Sequence, residues 1–296
     1  VNDAVVRRDL ASRRRNVIEI HSIDDERIAL YHNIRNADLR GRGDVFIAES
    51  ELVVRRLIES RFAIHSLLLS RAKLERMADA VAALQVTIPV YVADISLLSR
   101  IAGYRIHGGA LALGVRPAAD LLSLEGALRS LHGRTRLLLI LAERITHVDN
   151  IGALFRNAAA FGADAVVLDS ACADPLYRKA IRVSMGHVLS MPFAIAGDWP
   201  EAMATLRERW GMTIIAAEST TRSRPIAEIP AADRLGVVFG SERHGVSDAT
   251  LALCDGVFHI PMSQPHGAAC MPRVPSINVA TAAAIVLHEL AGRPKC

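Results

Sequence analysis

Residues 150–168 read NIGALFRNAAAFGADAVVL, and the fold class follows from how this stretch divides. Ile151, Leu154, Phe155, Ala158 and Ala159 recur at i, i+3, i+4, i+7 and i+8, which sets one apolar stripe on a helix over 150–161. The AVVLD that follows is a short β-branched run suited to a buried strand. Upstream, LLLILAE from Leu137 is another short apolar run, so the segment reads strand, helix, strand.

The same alternation continues to the end of the chain. A helix is expected near PLYRKAIRVSMG, a strand at MPFAIA, and a helix from Trp199 to Trp210. Strands TIIAAE and LGVVFG, a short strand in FHIPM and a final helix to Leu290 complete the pattern. Apolar runs separated by helices indicate an α/β domain with a parallel sheet covered on both faces.

Ahead of this domain, DDERIALYHN reads as a helix, followed by a short strand around Val45 to Ala48 and a second helix. Strands at SLLLS and PVYVA lead to GGALALGVRP, which closes a small α/β sandwich. Residues 1–20 are expected to form a disordered basic tail, residues 21–116 the small domain, residues 117–136 a polar linker with one short helical stretch, and residues 137–296 the main domain.

Composition sets the outer bounds. With 296 residues, 51% of them hydrophobic and 22% charged, the chain suits a globular protein of two domains rather than a disordered one. No run approaches the roughly 18 apolar residues of a membrane span, and the opening VNDAVVRRDLASRRR lacks a signal-peptide core, so a cytoplasmic protein is expected. Cys172, Cys254, Cys270 and Cys296 form no CxxC pair, so neither a metal site nor a disulfide framework is expected. The net charge of +4 arises wholly in residues 1–116, where 18 Lys and Arg face 14 acidic residues. That bias fits a polyanionic partner, and equally a solvated surface with a basic tail.

Arg156 lies off the apolar stripe of its helix, one turn beyond Gly152, and helical side chains lean toward the N-terminus. Its guanidinium is therefore placed over a residue with no side chain, beside a helix start that Asn150 is positioned to cap and where an anion is favoured. A plain N-cap with a surface arginine fits the same residues. Two later stretches bear on the choice. VVFGSERHGVS, residues 237–247, ends a buried strand in glycine, with Glu242 two residues on and Gly245 in a tight turn, where parallel sheets place ligands. In the stretch 258–290, Ser276 and Asn278 open a helix whose residues 280–284 are nearly all small, which allows close approach of backbones.

N-x-G-x-x-x-R followed by FGAD, then FGSE-x-x-G, then IPM and SINVA before an alanine-rich helix together resemble the three ordered motifs of the SpoU/TrmH family of RNA ribose 2′-O-methyltransferases. The resemblance runs from about Leu137 to Leu290, and the front part is similar in pattern to the ribosomal-protein-like RNA-binding domain that many members carry. It implies a Rossmann-like domain whose C-terminal segment is threaded into a trefoil knot, and a homodimer packed through the final helix. It implies S-adenosylmethionine as cofactor, held by Gly240, Ile260, Met262 and Ile277, and an rRNA or tRNA substrate.

By the same resemblance, Arg156 is the catalytic arginine, and Asn150, Glu242, Ser276 and Asn278 position substrate or loops. A guanidinium stays protonated, so phosphate clamping and stabilisation of a developing alkoxide suit Arg156 better than a base role. Glu242 is left two roles, to orient Arg156 or a facing loop. One departure is the long segment SQPHGAACMPRVP over 263–275, in which His266 and Cys270 do not make a metal site. Two other readings remain open: an RNA-binding module of the same fold with little methyl transfer, and a nicotinamide enzyme, for which GGALALG is the nearest glycine-rich turn.

Overall fold

Short runs of Val, Ile and Leu become strands where the sequence places them, and they sort into two sheets. A computed structural model describes residues 17–34, 44–106, 108–263 and 276–292. The chain divides into two compact units, Val1–Pro117 with Leu176–Ser190, and Ala118–Pro175 with Met191–Cys296.

The first unit holds β1 (Val17–Glu19), β2 (Val45–Glu49), β3 (Ile64–Leu69), β4 (Val90–Val92) and β5 (Ala110–Val115) in the order β1-β4-β3-β5-β2. β5 runs antiparallel to β2 and β3, and the other pairs are parallel. β1 falls inside the stretch read as a basic tail, where pairing to β4 orders Val17–Glu19; residues 1–16 lie outside the described residues. The expected helix in DDERIALYHN is a 3-10 turn, Glu26–Tyr31, whose buried Ile28 and Tyr31 are three apart, the repeat that such a turn stacks on one side.

The PLYRKAIRVSMG helix is two short helices, Arg178–Val183 and His187–Ser190, and both belong to the first unit rather than to the main sheet. An ion pair explains this placement: Arg178 Nη1 donates to Glu49 Oε2 at 2.6 Å and to the Tyr104 hydroxyl at 3.2 Å. Arg56 adds a bond to the Met185 carbonyl at 2.6 Å.

In the second unit, β6 (Leu137–Ala142), β7 (Ala165–Asp169), β8 (Phe193–Ala196), β9 (Thr213–Ala217), β10 (Arg224–Pro225), β11 (Arg234–Phe239) and β12 (Gly256–His259) form one wholly parallel sheet. Its order is β10-β12-β9-β11-β6-β7-β8, so β6 and β11 are adjacent although about a hundred residues separate them. Trp199, Ala202, Met203 and Leu206, on the helix Trp199–Glu208, pack into a core with Leu139, Leu141, Val167 and Ala216 of the sheet. Helix Val148–Ala160 buries Ile151, Leu154, Phe155 and Ala158, as the stripe in the sequence requires, and the final helix Val279–Ala291 packs against it.

Residues 117–136 differ from the linker expected of them. Ala127, Leu128 and Leu131 are buried in the core of the second unit. The short helix Leu124–Leu128 begins where the Ser123 side chain accepts the Gly126 N–H, and this cap turns its apolar residues inward. No helix among the described residues is long and apolar enough to cross a membrane.

Candidate active site

Parallel strands all end on one edge, and the loops leaving β6, β9, β11 and β12 meet there. The loops after β9, β11 and β12, with the start of the final helix, enclose a cleft of about 510 Å³, within the range of roughly 300–1,000 Å³ usual for small-molecule sites. Gly240, Ile260, Met262 and Ile277 line it, and so do Glu242, Ser276 and Asn278. Segments distant in sequence thus share one cavity, while Asn150 and Arg156 are not among its lining residues.

The loop after β11 is tight because two glycines permit it. Ser241 and Gly245 exchange backbone hydrogen bonds of 3.0 and 2.9 Å. Gly245 has φ +66°, and a Cβ on Gly240 would stand 2.0 Å from the Gly245 carbonyl carbon, so no side chain fits there. Two carboxylates missed in the sequence hold this loop. Glu218, at the end of β9, accepts the Val246 N–H at 2.8 Å. Glu143, buried at the end of β6, accepts the Ser247 N–H at 3.0 Å and hydroxyl at 2.6 Å. Their signal was available: each is the acid that directly follows a buried strand.

So held, the loop carries Glu242 across to the neighbouring strand's helix. Its carboxylate accepts the Thr146 N–H at 3.3 Å, the His147 N–H at 3.1 Å and the Asn150 Nδ2–H at 2.8 Å. Burial alone would raise the Glu242 carboxyl, but the Asn150 bond and the backbone N–H bonds outweigh it and hold its pKa below the ordinary glutamate value. The helix starts at Val148 with His147 as cap residue, so the expectation that Asn150 caps it is corrected. The anion favoured at that helix start is the protein's own Glu242. Of its two open roles, Glu242 has the facing loop: its printed bonds go to residues 146, 147 and 150, and none to Arg156.

Asn150 is only 9% exposed and joins two partners. Its Nδ2 donates to Glu242, and its Oδ1 accepts the Asn278 Nδ2–H at 2.9 Å. Asn278 caps the final helix, accepting the Ala280 and Thr281 N–H groups at 2.9 and 3.3 Å. Asn157, also unread in the sequence, donates to the Ala280 carbonyl at 2.7 Å. Ala280 and Ala283 are buried, so part of the small-residue face serves this packing within the chain. Arg156 is exposed, and among the described residues its guanidinium has no hydrogen-bonded or ion-paired partner.

Cys172 and Cys254 are free thiols, both pushed up to about 12, chiefly by burial. No cluster able to hold a metal occurs among the described residues; His266 and Cys270 lie outside them, as does all but Ser263 of the long segment.

A model of the SpoU rRNA Methylase family matches residues 137–288. A protein of Mycobacterium tuberculosis named as an uncharacterized tRNA/rRNA methyltransferase is 34% identical over 282 residues, 93% of this chain and 91% of its own length. A 23S rRNA (adenosine(1067)-2′-O)-methyltransferase of Streptomyces laurentii is 35% identical over 156 residues, 52% of this chain and 54% of that one. Among solved structures, the SpoU methyltransferase AviRb from Streptomyces viridochromogenes in complex with AdoMet is 21% identical, with a TM-score of 0.73 over 90% of this chain and 98% of that one. At that identity the structural likeness speaks for the fold, and the family match and the long mycobacterial alignment speak for descent. The chain belongs to the SpoU rRNA methylase family.

Proposed function

We propose that this protein methylates a ribose 2′-hydroxyl in structured RNA, rRNA or tRNA, with S-adenosylmethionine as methyl donor. The observation that carries the reading is the Glu242–Asn150–Asn278 chain of hydrogen bonds, which joins all three motif segments beside the cleft. The family match and the 2′-O-specific name of the Streptomyces laurentii relative support it.

The cleft fits the cofactor. Ile260, Met262 and Ile277 offer an apolar wall for an adenine ring, and the tight loop that Gly240 permits lines the same cleft. When bound, S-adenosylmethionine supplies an electrophilic methyl group. A hydroxyl is a weak nucleophile, so this chain's residues must aim it and favour its alkoxide. Arg156 does so as a permanent cation: it clamps an RNA phosphate and stabilises negative charge on the reacting oxygen. Asn150, Glu242 and Asn278 fix the helix that carries Arg156 relative to the cleft, and Ser276 orients substrate at its rim. The family resemblance further supports a trefoil threading of the C-terminal segment, a homodimer through the exposed face bearing Ile285, and RNA binding by the first unit.

Calorimetric titration with S-adenosylmethionine, followed by mapping of 2′-O-methyl groups on unmodified 23S rRNA and tRNA, tests the proposal. Saturable binding and one new methylated ribose are expected. Binding without methylation of either RNA points to an RNA-binding module instead, and absence of cofactor binding overturns the reading.

A further inference from the structure

The acids and the arginines around the candidate site behave oppositely. Glu143, Glu218 and Glu242 are all turned onto backbone N–H groups of the surrounding loops. Arg144, Arg156 and Arg243 are exposed, and among the described residues none of the three guanidinium groups has a partner. Elsewhere in the same unit both situations occur: Arg134 pairs with Asp164, Arg136 with Asp233 and Arg207 with Asp255, whereas Arg129, Arg209 and Arg222 are exposed without an ion-paired partner among the described residues.

Arg144 and Arg243 flank a single hydrogen bond. Arg243 adjoins Glu242, whose carboxylate accepts the Thr146 N–H, and Arg144 lies two residues before Thr146. A few chain steps of about 3.8 Å therefore separate their backbones. Arg144 has φ +49°, a left-handed conformation that glycine adopts freely and arginine rarely does. An arginine held there, exposed and unpaired, is better explained by its charge than by its backbone.

We infer that Arg144 and Arg243 extend Arg156 into one phosphate-binding surface, over which a single RNA strand crosses from the start of helix Val148–Ala160 to the mouth of the cleft. This rests on the RNA-methyltransferase reading above and assigns the path of the substrate backbone at that site. The surface binds backbone phosphates without reading bases, so it adds affinity, register and salt dependence rather than sequence specificity.

Fluorescence anisotropy with unmodified, in-vitro-transcribed 23S rRNA and tRNA over a series of KCl concentrations tests the inference on the full chain. Arg144→Gly and Arg243→Ala should each weaken binding by roughly three- to tenfold and lower the log–log salt slope by about 0.7–1. Both variants should raise KM for RNA, and for Arg144→Gly, which lies outside the cleft lining, calorimetric affinity for S-adenosylhomocysteine should stay close to wild type. Arg144→Gly suits the left-handed backbone, so it separates lost charge from lost fold, and Arg144→Lys should restore most of the slope. Arg209→Ala, removing an exposed arginine just past the helix Trp199–Glu208 and away from the cleft, is the control and should change nothing. If wild type binds RNA and the Arg144 and Arg243 variants keep its slope, the shared surface is overturned and the methyltransferase reading stands. If wild type itself binds no RNA, both fall.

Discussion

Asn278, the cap of the last helix, donates its side-chain amide to the Asn150 carbonyl oxygen at 2.9 Å across 128 positions of sequence. Asn150 in turn donates to Glu242 at 2.8 Å, so one buried amide sets the spacing of three loops. A side chain that donates from one atom and accepts at another serves there, and asparagine is the shorter of the two amides that do so.

Asn150→Ala leaves the Glu242 carboxylate and the Asn278 amide each without that partner. The expected loss of stability is about 1–3 kcal/mol by chemical denaturation. Asn150→Asp should be no better, since it sets a second carboxylate against Glu242. Methyl transfer should fall at least about tenfold in both. Full activity in Asn150→Asp would remove the bridge from the proposed mechanism.

The pH dependence of stability should carry a Glu242 component of known sign. Its carboxyl is held below the ordinary value of 4.5 in the folded state. The stabilisation is therefore fully present above about pH 4.5 and is lost as pH falls through the lower folded value. In urea denaturation at a series of pH values, the gap between wild type and Glu242→Gln should be constant near neutrality and should close on acidification. A gap that widens in acid would contradict the hydrogen bonds assigned to this residue.

Gly240→Ala should displace the loop after β11, because the new Cβ meets backbone atoms at 2.0 and 2.1 Å rather than a flexible side chain. A cost of about 1–3 kcal/mol is expected, with at least a tenfold loss of S-adenosylmethionine affinity. Gly211→Ala is the contrasting case: its φ of +60° is strained but its Cβ meets nothing within 4 Å. It should lose about 1 kcal/mol and no cofactor affinity.

Arg156→Ala should lower kcat by about 10²-fold or more with cofactor affinity nearly intact, since Arg156 does not line the cleft. Arg156→Lys should recover part of the activity, because charge is kept and the planar fork is not. Turnover and calorimetry on the same preparations check the split. Unchanged turnover in Arg156→Ala would overturn its catalytic role.

Cys172 and Cys254, with thiols pushed up to about 12, should resist alkylation by iodoacetamide at neutral pH in the folded protein and react on unfolding. Peptide mass spectrometry reads both sites separately.

Much of the second unit was legible because its signals are local. The stripe Ile151–Ala158, the β-branched runs and the small residues after Val279 report burial and secondary structure within a few residues of themselves. The first unit was less so: β1 is three residues long and exists through its pairing with β4, and the short helices over 178–190 are placed by the Arg178–Glu49 ion pair. Residues 117–136 differ from a linker for a like reason, since Leu128 and Leu131 reveal a core only when the sheet is there to receive them.

The sequence by itself determined the parallel α/β character of the second unit, the order of the motifs and the identity of the chemically able side chains, because periodicity and residue type are properties of neighbours in the chain. Only the tertiary structure decided that β6 lies beside β11, that Glu242 rather than Asn150 satisfies the start of helix Val148–Ala160, and that Glu143 and Glu218 hold the loop between them. Those are hydrogen bonds between groups tens to a hundred residues apart, and which donor finds which acceptor is settled by strand order in space, which no local pattern encodes.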